Sequence, residues 1–405
     1  MKHYIKKIGY RFRVYPQEMQ EVFLNKHFGC CRFIYNYLLN LREESYKKNK
    51  TKISGFALKR EISKLKQIED YKWLKEVNSQ SLQESALDLE KGYRRFFKKL
   101  STGKPRFKKK LNRQTFKVPQ NFKLKKSKRE NYFLYIPKLK TGIRINIHRK
   151  IIGEIKQLTI SKDPSGAYYA SFSCEVKEEV VKRKDKKNKA IGIDLGLTSF
   201  MVTSDGKKTE APKFLRKLEC RLASKYRSLS RKKKYSCNWN KNRKEVAVLH
   251  EKIANQRKDF IHKLSFELVD ENQDIYLEDL NVKGMMRNRH LSKSISDASW
   301  GEFGRQLKYK AVWMESRVIQ IGRFEPSSKL CSVCGSKNKK LKLHHRVWQC
   351  KHCLTKHDRD ISAAKNILKI GQGMSELKPV EKSTAVFSLK RRQVGSVKQE
   401  PVSRL

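Results

Sequence analysis

The chain has 405 residues and a formal charge of +55, from 95 lysines and arginines against 40 aspartates and glutamates. This length allows about two to four domains. Folding does not require such an excess of positive charge, and nucleic acid is a better partner for it than a membrane surface or solvent alone. No apolar run approaches the roughly 18 residues of a membrane span, and the N-terminus lacks the apolar stretch of a signal peptide. We therefore expect a cytoplasmic, nucleoid-associated protein without a membrane partner.

The first hundred residues predict a strand followed by helices. Alternating apolar and basic side chains favour a strand over residues 4–15, and Pro16 then begins a helix. A second helix has one apolar stripe, and the basic residues off that stripe could lie along phosphates. The predicted core positions are Val22, Phe23, Lys26, Cys30, Phe33 and Tyr37 in the first helix, and Leu82, Ala86, Leu89, Tyr93, Phe96 and Leu100 in the second.

The next segment is both basic and aromatic. Residues 101–150 contain 17 lysines and arginines and a single acid, Glu130. Short apolar runs between residues 115 and 178 predict an antiparallel sheet or a small barrel. Basic strands with interleaved aromatic side chains suit nucleic-acid backbones and stacked bases, although the same aromatics equally serve an ordinary β-core. The charged stretch at 179–189 predicts a linker and a domain boundary.

The second half of the chain alternates strands and helices. The runs AIGID and QDIYLEDL are typical of short buried strands, and Asp205-Gly206 predicts a hairpin within SFMVTSDGKKTE. Helices are predicted over residues 211–270 and 298–316, followed by the strand VIQIGRF and by a last helix after Asp360. From about residue 371 the tail has the composition of a disordered segment.

Three acidic residues stand at the ends of these elements. Asp194 and Glu278 end two strands, and Asp360 precedes the last helix. Cleavage of a phosphodiester with two Mg²⁺ ions requires carboxylates that converge on metals about 3.5–4 Å apart. Two neighbouring buried strands, and a helix packed against them through the small residues Ala363 and Ala364, would supply that convergence. The pattern therefore predicts a nuclease that depends on Mg²⁺ or Mn²⁺.

Each of these acids also has a plainer interpretation. Asp194 could begin a turn, and Glu278 could be a surface acid, with Asp279 beside it as a competitor. Asp360, or Asp358 before it, could cap the last helix. Three unrelated roles for acids in this order are less expected than one metal site that all three share.

Four of the nine cysteines are paired at metal-binding spacing within residues 326–356. The spacing CxxC-x15-CxxC fits a four-thiolate zinc ribbon, in which the metal replaces the core that so short a segment cannot build. A closed shell of four sulfurs leaves no open coordination position, so the predicted role of this zinc is structural. The scattered remaining cysteines suit a reducing compartment. The predicted ligands are Cys331, Cys334, Cys350 and Cys353, and the histidines close enough to replace one are His344, His345, His352 and His357.

At these residues the chain resembles TnpB (OrfB), a family of transposon-encoded RNA-guided nucleases regarded as ancestral to the type V CRISPR effectors. The resemblance covers nearly everything up to about residue 370. Generic nucleases share the acids but not the stretches around them. Those stretches are YRFRVYP and FGCCRFIYNYLL near the N-terminus, and GIDLG, HEKIANQRKDFIHKL, LEDLNVKGM, SDASWGEFGRQLKYKA, PSSKLCSVCG and HDRDISAAKNIL further on.

The resemblance implies an α+β multidomain fold in which a helical recognition lobe is inserted in an N-terminal β-barrel. It also implies a RuvC-type (RNase H-like) α/β nuclease domain with an inserted zinc ribbon, and with Asp194, Glu278 and Asp360 as its acidic triad. The implied segments are 1–15 and 101–180 for the wedge-like barrel, 16–100 for the lobe, 189–325 and 357–370 for the nuclease domain, 326–356 for the ribbon and 371–405 for the tail.

The resemblance further implies a guide RNA derived from the transposon end. A monomer with this RNA would cut double-stranded DNA beside a short transposon-adjacent motif. The resemblance also implies that the lobe and the barrel recognise that motif, although each polar residue there could instead cap a helix or a turn. The residues concerned are Ser79, Gln80, Gln83, Gln120 and Asn121, with Arg94 and Arg95 as further nucleic-acid contacts.

Two positions depart from the family pattern. Ser362 stands where Asn is common, and Leu354 follows the last CxxC where Gly is common. Neither change removes a metal ligand. Two other functions stay open: a nuclease-silent, RNA-guided DNA-binding regulator, and a transposase that acts by strand transfer. The presence of all three acids favours the nuclease over the regulator.

Overall fold

A computed structural model describes residues 6–51, 53–101, 103–128, 130–176, 189–323, 325–342 and 344–376. The chain divides into two compact units. The first comprises Met1–Lys182 and Cys220–Lys252, and the second comprises Arg183–Glu219 and Ile253–Leu405. The linker predicted at 179–189 lies outside the described residues except for Lys189, and so does the predicted tail beyond Glu376.

Helices dominate the N-terminal part of the first unit. Helix α1 spans Glu18–Asn49, α2 spans Gly55–Leu65, and α3 spans Ser79–Phe97, with a 3₁₀ helix at Glu69–Glu76 between the last two. Pro16 lies just before the N-cap residue Gln17, so it precedes α1 and is not in its first turn as predicted. The side chains of Gln17 and Gln20 bond reciprocally to the backbone and so close a capping box at the start of this helix.

The buried face of α1 matches the predicted one only in part: Cys30 is buried as predicted, but other positions are not. Val22 is 50% exposed, Lys26 is exposed, and Phe33 and Tyr37 are only half-buried. The helix carries apolar side chains on several sides, so periodicity alone does not select the face that packs. The residues it buries are Gln20, Leu24, His27, Phe28, Cys30, Cys31, Ile34, Tyr35, Leu38 and Leu39.

The apolar stripe predicted for α3 is confirmed over most of its length. Leu82, Ala86, Leu89 and Tyr93 are buried. The stripe ends earlier than predicted, because the helix stops at Phe97 and Leu100 beyond it is 58% exposed.

Seven strands form an antiparallel sheet in the first unit: β1 Lys6–Tyr15, β2 Gln114–Val118, β3 Lys123–Lys126, β4 Tyr132–Tyr135, β5 Ile143–Asn146, β6 Glu154–Lys162 and β7 Tyr168–Val176. They pair in the order β2-β6-β7-β1-β5-β4-β3. Within the described residues this ladder ends at β2 on one side and at β3 on the other, so the strands form a half-barrel.

The half-barrel and the helices of this unit share one hydrophobic core. Along β7 every second side chain is buried, including Tyr168 and Phe172, as expected for a strand with one face on the core. Leu24 of α1 is fully buried in the same cluster. Of the aromatics considered for base stacking, Phe116 is a core residue, whereas Phe107 is 52% exposed. The basic strands therefore keep their apolar side chains inside and their charges outside.

Five strands form the sheet of the second unit: β8 Ala190–Leu195, β9 Ser199–Thr203, β10 Lys208–Glu210, β11 Asp274–Glu278 and β12 Arg317–Ile321. Their order is β10-β9-β8-β11-β12. The predicted hairpin joins β9 to β10, with Gly206 in a left-handed conformation at φ 94°. Strands β8, β11 and β12 are parallel to one another, so their carboxyl ends meet at one edge of the sheet.

The described chain after β7 contains the helices α4 Phe214–Ser230, α5 Cys237–Glu271, α6 Val282–Met285, α7 Ser292–Ala298, α8 Trp300–Met314 and α9 Arg359–Glu376. Residues 220–252 of α4 and α5 belong to the first unit, and the other helical residues belong to the second. The two faces of the sheet bury different sets of side chains. Ile193 and Leu277 pack with Phe303 of α8, whereas Tyr276 of the other face packs with Ile367 of α9.

Helix α9 lies directly on the sheet. A Cβ added to Gly192 of β8 would lie 2.2 Å from the carbonyl oxygen of Ala364, so only glycine permits this contact. Ala363 and Ala364 are fully buried, which agrees with the predicted approach of this helix through small residues. The helix continues to Glu376, six residues into the segment predicted as a tail.

The cysteine-rich segment has little regular structure. It contains a 3₁₀ helix at Ser327–Lys329 and an antiparallel pair of strands, β13 Val347–Gln349 and β14 Lys356–Asp358. Strand β14 leads without a break into α9. Among the helices of the described chain, none combines the length and apolar character needed to cross a membrane.

Candidate functional site

Asp194 and Glu278 occupy matching positions on neighbouring parallel strands. Ile193 of β8 is the register partner of Leu277 of β11, so the next residue on each strand is one of the two acids. Ile193 and Leu277 face the core that contains α8. Because side chains alternate along a strand, Asp194 and Glu278 project from the other face, the one covered by α9. The plainer interpretation of Asp194 as a turn residue does not describe this position.

Asp360 reaches the same end of the sheet from the first turn of α9. The helix is capped by Asp358, whose Oδ1 accepts hydrogen bonds from the backbone N–H groups of Asp360 and Ile361, each at 3.1 Å. Asp358 also forms an ion pair with Lys208 at 2.6 Å. Since Asp358 does the capping, the carboxylate of Asp360 is not needed for it.

The three carboxylates are close enough to interact electrostatically. Burial, together with the negative charges of Glu278 and Asp360, raises the pKa of Asp194 to about 7, against the opposing charge of Arg359. An acid held at this pKa marks a place where negative charge is concentrated and poorly solvated. A bound divalent cation would relieve that repulsion, so the donor set fits a hard metal such as Mg²⁺.

Replacing Asp194 by Asn should make the stability of the metal-free protein less dependent on pH. The folded-state pKa of Asp194 lies above its ordinary value of 3.8, so deprotonation destabilises the fold progressively from about pH 4 to pH 7 and fully above pH 7. Asp194→Asn removes that cost. In EDTA we expect its unfolding midpoint to exceed that of the wild type by several degrees at pH 8, with a smaller difference at pH 5. Equal differences at both pH values would contradict the assignment.

Ser327 and Arg346 form hydrogen bonds with the other two acids, Glu278 and Asp360. Neither contact was predicted from the sequence. The Ser327 hydroxyl donates a short hydrogen bond to Glu278 Oε1. Ser327 is in turn fixed by Asn366 of α9, whose side chain donates to its carbonyl oxygen at 2.8 Å. Arg346 Nη1 donates to Asp360 Oδ1 at 3.2 Å and to Oδ2 at 3.3 Å. Ser327 lies in PSSKLCSVCG, one of the stretches that resemble the family, but no sequence signal singles out Arg346.

The competing acid Asp279 faces a different environment. Its carboxylate forms an exposed ion pair with Arg323 at 2.6 Å, and Arg323 also donates to its carbonyl oxygen at 3.2 Å. The carboxylate of Glu278 is therefore directed at the candidate site, whereas that of the next residue, Asp279, is neutralised at the surface.

The four predicted cysteine ligands form one cluster. Their sulfur atoms all lie within 4.8 Å of one another, and no other group of metal-binding side chains in the described chain is as close. The Cys331–Cys353 and Cys334–Cys350 sulfur distances are 3.5 and 3.6 Å, too long for disulfides. Four thiolates about 2.3 Å from a tetrahedral zinc would have sulfurs at nearly this separation, so the cluster fits zinc.

Among the described histidines near the cluster, His357 is the one whose ring contacts a cysteine sulfur. Its Nε2 lies 3.0 Å from Cys331 Sγ, and its ring packs on Trp348 with the centroids 4.8 Å apart. An imidazole N–H at this distance can donate to a thiolate and so orient it. His357 belongs to β14, next to the capping residue Asp358. The cluster is thus connected to the start of α9 by a single short strand.

The two CxxC turns differ at the residue that follows each of them. Gly335 has φ 73° and donates its N–H to the carbonyl of Cys331 at 2.9 Å. Leu354 has φ 58° and donates in the same way to Cys350 at 3.0 Å. Both positions are left-handed, which costs a non-glycine residue roughly 1–2 kcal/mol.

We expect Leu354→Gly to stabilise the ribbon by about 1 kcal/mol, because it removes this backbone cost and Leu354 is 68% exposed. The measurement is the rate of zinc release to a chelator, which should slow. Gly335→Leu in the matching turn is the control and should accelerate release. Faster release from Leu354→Gly would show that the exposed leucine contributes contacts that the turn geometry does not reveal.

The residue flagged as a family departure in α9 does not touch the acids. Ser362 is buried, and its hydroxyl donates to the carbonyl of Leu330 at 3.4 Å. Asn366, one turn later, donates to the same carbonyl at 2.8 Å. Ser362 therefore helps to seat the segment that enters the ribbon.

The predicted motif-reading residues lie at two neighbouring sites in the first unit. Gln80 Nε2 donates to Gln120 Oε1 at 3.3 Å, which joins the start of α3 to the turn after β2. Ser79 accepts from Lys66 at 2.8 Å. Asn121 is exposed in a left-handed conformation at φ 62°, and Gln83 is exposed.

The two predicted arginine contacts lie at the other end of α3. Arg94 forms an i,i+4 ion pair with Glu90 at 3.0 Å. Arg95 is exposed. Arg94 and Arg95 are therefore at the opposite end of this helix from Gln80.

Three family models match the sequence. A model of the OrfB family described as "Probable transposase" matches residues 171–289, one described as "Cas12f1-like, TNB domain" matches residues 300–367, and one described as "Helix-turn-helix domain" matches residues 1–51. The described part of that last segment is a strand and one long helix.

The fold is that of a Cas12f-like α+β multidomain protein. The chain aligns with Cas12f1 in a cryo-EM structure of a Cas12f1–sgRNA–target DNA complex with a TM-score of 0.53, over 87% of this chain and 83% of that one, at 17% identity. It is 35% identical, over 98% of its length and 96% of the relative's, to a Streptomyces pristinaespiralis protein named "Putative RNA-guided DNA endonuclease". InsQ of Escherichia coli (strain K12), which has the same description, is 31% identical over 90% and 92%. The chain belongs to the TnpB family, which is related to the type V CRISPR effectors.

Proposed function

We propose that this chain is an RNA-guided endonuclease that cuts double-stranded DNA with the help of Mg²⁺ or Mn²⁺. In this proposal Asp194, Glu278 and Asp360 are the acidic triad of a RuvC-type (RNase H-like) domain. One observation carries the proposal: two register-matched strands and the helix above them direct three carboxylates to one edge of a sheet, where they raise the pKa of Asp194. The descriptions of the relatives agree with this activity.

The residues around the triad prepare it for metal. Carboxylate oxygens are the ligands that Mg²⁺ prefers, and two bound ions would activate a water and stabilise the leaving oxygen. Ser327 fixes the orientation of Glu278, and Asp358 leaves Asp360 available by taking over the helix cap. Arg346 offsets the charge of Asp360. Three carboxylates on two strands and a helix could divide their oxygens between two such ions.

The cysteine ribbon has a structural part in this proposal. Its first segment supplies Ser327 to Glu278, and its last strand supplies the cap of the helix that carries Asp360. A zinc bound by four thiolates would therefore stabilise the positions of two of the three acids without taking part in the reaction.

Guide RNA and target DNA would account for the charge of +55. In this proposal base pairing reads the target sequence, while the protein reads a short flanking motif. The contact between Gln80 and Gln120 supports a motif-reading role, since it places two exposed amides side by side, and amides recognise adenine edges in the major groove. The half-barrel would serve as the wedge, the helices α1–α3 as the recognition lobe, and residues 189–325 with 357–370 as the nuclease domain.

The proposal is tested by the cleavage of a matched DNA duplex by the purified protein with its RNA. We expect cutting that rises with Mg²⁺ and depends on the guide, and we expect Asp194→Ala to abolish it while guide-dependent DNA binding is retained. Normal cutting by Asp194→Ala would show that the triad is wrong. Binding without cutting by the wild type would indicate the silent regulator, and joined DNA ends formed without RNA would indicate a strand transferase.

A further inference from the structure

A cavity of about 240 Å³ lies in the second unit, beside the segments that follow the two strand acids. Leu197 and Thr198 line it, three and four residues after Asp194. Another wall comes from residues 291–298, which include α7 and follow Glu278 by 13 residues or more. In open sheets, ligands bind at the carboxyl ends of parallel strands. The segments that line the cavity thus leave the sheet at the same edge as the two strand acids.

The cavity has an aromatic wall. Phe200, Phe214 and Phe260 all line it. The ring of Phe260 lies edge-on to both others, with centroids 5.1 Å from Phe200 and 6.2 Å from Phe214. Phe200 is buried in the core, whereas Phe214 is half-buried at the start of α4. Phe260 is also half-buried but packs against the hydrophobic core, so Phe214 is the ring more open to a ligand.

The rim of the cavity is positive. Lys213, Arg216, Arg257 and Lys293 line it, against the single acid Asp297. Both oxygens of Asp297 are already used, one by Arg257 at 2.7 Å and the other by the backbone N–H of Leu215 at 3.1 Å.

Within the described chain, several donors of this rim have no hydrogen-bond or ion-pair partner for their side chains. Lys213 and Arg216 are exposed, and neither has an acidic group within 4.0 Å among the described residues. Arg257 Nε is buried and, over the same part of the chain, has no hydrogen-bond partner. An anionic ligand would satisfy these donors.

A larger neighbouring cavity of about 530 Å³ has no such excess of unpaired positive charge among its described lining residues. Its lining includes two lysines and two acids. Lys207 pairs with Glu267 at 2.5 Å, and Lys263 pairs with Asp259 at 2.7 Å. Since its charges cancel, it gives no reason to expect an anion.

We propose that the smaller cavity binds one nucleotide of the DNA strand being cut, with its base against Phe214 and its phosphate at Lys213 and Arg216. A volume below the roughly 300–1,000 Å³ of drug-sized pockets suits a single base rather than a base pair. Stacking on an aromatic ring next to basic side chains is how proteins bind single strands without reading their sequence. The inference rests on the proposed nuclease function, because the nucleotide is taken to belong to the strand that the three carboxylates would cut.

The test is photocrosslinking of single-stranded DNA that carries 5-iodouracil at successive positions around the cut. The full-length protein with its RNA is used, in wild-type and Asp194→Ala forms. We expect a crosslink to the peptide that contains Pro212–Arg216 from one or two positions next to the scissile phosphate. Bound DNA that crosslinks only elsewhere would overturn the inference. A crosslink at this peptide without any Mg²⁺-dependent cutting would support the pocket while refuting the nuclease, so the two failures are distinguishable.

Matched variants provide a second readout. Phe214→Ala should lower the crosslink yield and the cleavage rate about tenfold, and Phe214→Tyr should restore both, since it keeps the ring. Arg216→Ala should weaken the binding of single-stranded DNA and reduce the salt dependence of that binding, whereas Lys217→Ala, which removes an exposed charge outside the cavity, should do less. Equal effects of Arg216→Ala and Lys217→Ala would contradict a defined site.

Discussion

Glu278→Ala is expected to reduce DNA cleavage at least about 100-fold, whereas Asp279→Ala should leave it nearly unchanged. Loss of a group that only orients a metal ligand typically reduces metal affinity or activity roughly 10–100-fold. Loss of a ligand itself should reduce activity more. Glu278 shares its edge of the sheet with Asp194 and accepts from Ser327, whereas Asp279 pairs with Arg323 at the surface. The measurement is the initial cleavage rate at saturating Mg²⁺.

The two variants form a matched pair, because each removes one carboxylate from adjacent positions of the same strand end. Binding of the guided complex to target DNA should be the same for both, which separates loss of chemistry from loss of assembly. If Asp279→Ala lost activity and Glu278→Ala kept it, the second acid of the proposed triad would have to be reassigned.

Cys350→Ser is expected to release the bound zinc and to suppress cleavage together. Structural zinc sites contribute roughly 10–16 kcal/mol of apparent binding free energy in zinc-finger peptides, and this becomes folding free energy. Losing one thiolate should therefore unfold the segment that contains Ser327 at its start and leads through β14 to Asp358. The measurements are the zinc content per chain, which should fall from one to near zero, and the cleavage rate, which should fall at least about 100-fold.

Cys220→Ser is the control for this experiment, because Cys220 is an exposed free cysteine outside the cluster. It should keep both the zinc and the activity. Full cleavage by a zinc-free Cys350→Ser protein would show that the ribbon does not hold the acids in place.

The order of the elements could be predicted from local sequence, because each signal lies within one element. Pro16 before a helix, Asp205-Gly206 in a hairpin and short apolar runs for parallel strands all act over a few residues. The strands that carry Asp194 and Glu278 and the helix at Asp360 were correctly predicted for the same reason, although that helix begins one residue before Asp360. The clustering of the four cysteines was also correctly predicted.

The contacts around the acids could not be predicted, because they join distant parts of the chain. Ser327 and Glu278 are 49 residues apart, and Arg346 meets Asp360 only because β13 and β14 pair. The buried face of α1 was predicted correctly only in part for a related reason: the face is chosen by the half-barrel that packs on it. The sequence around Gly192 does not predict that α9 packs on it, because the contact is with Ala364, which is distant in the sequence.

Plasmid depletion with a reprogrammed guide is the decisive test of RNA-guided cleavage by this protein. The protein is co-expressed with its RNA, and a matched target is supplied beside randomised flanking bases, with the Asp194→Ala protein as the control. We predict that plasmids sharing one flanking motif disappear when the guide matches the target and persist with Asp194→Ala. Depletion that ignores the guide, or that continues with Asp194→Ala, would contradict an RNA-guided nuclease built on these three carboxylates.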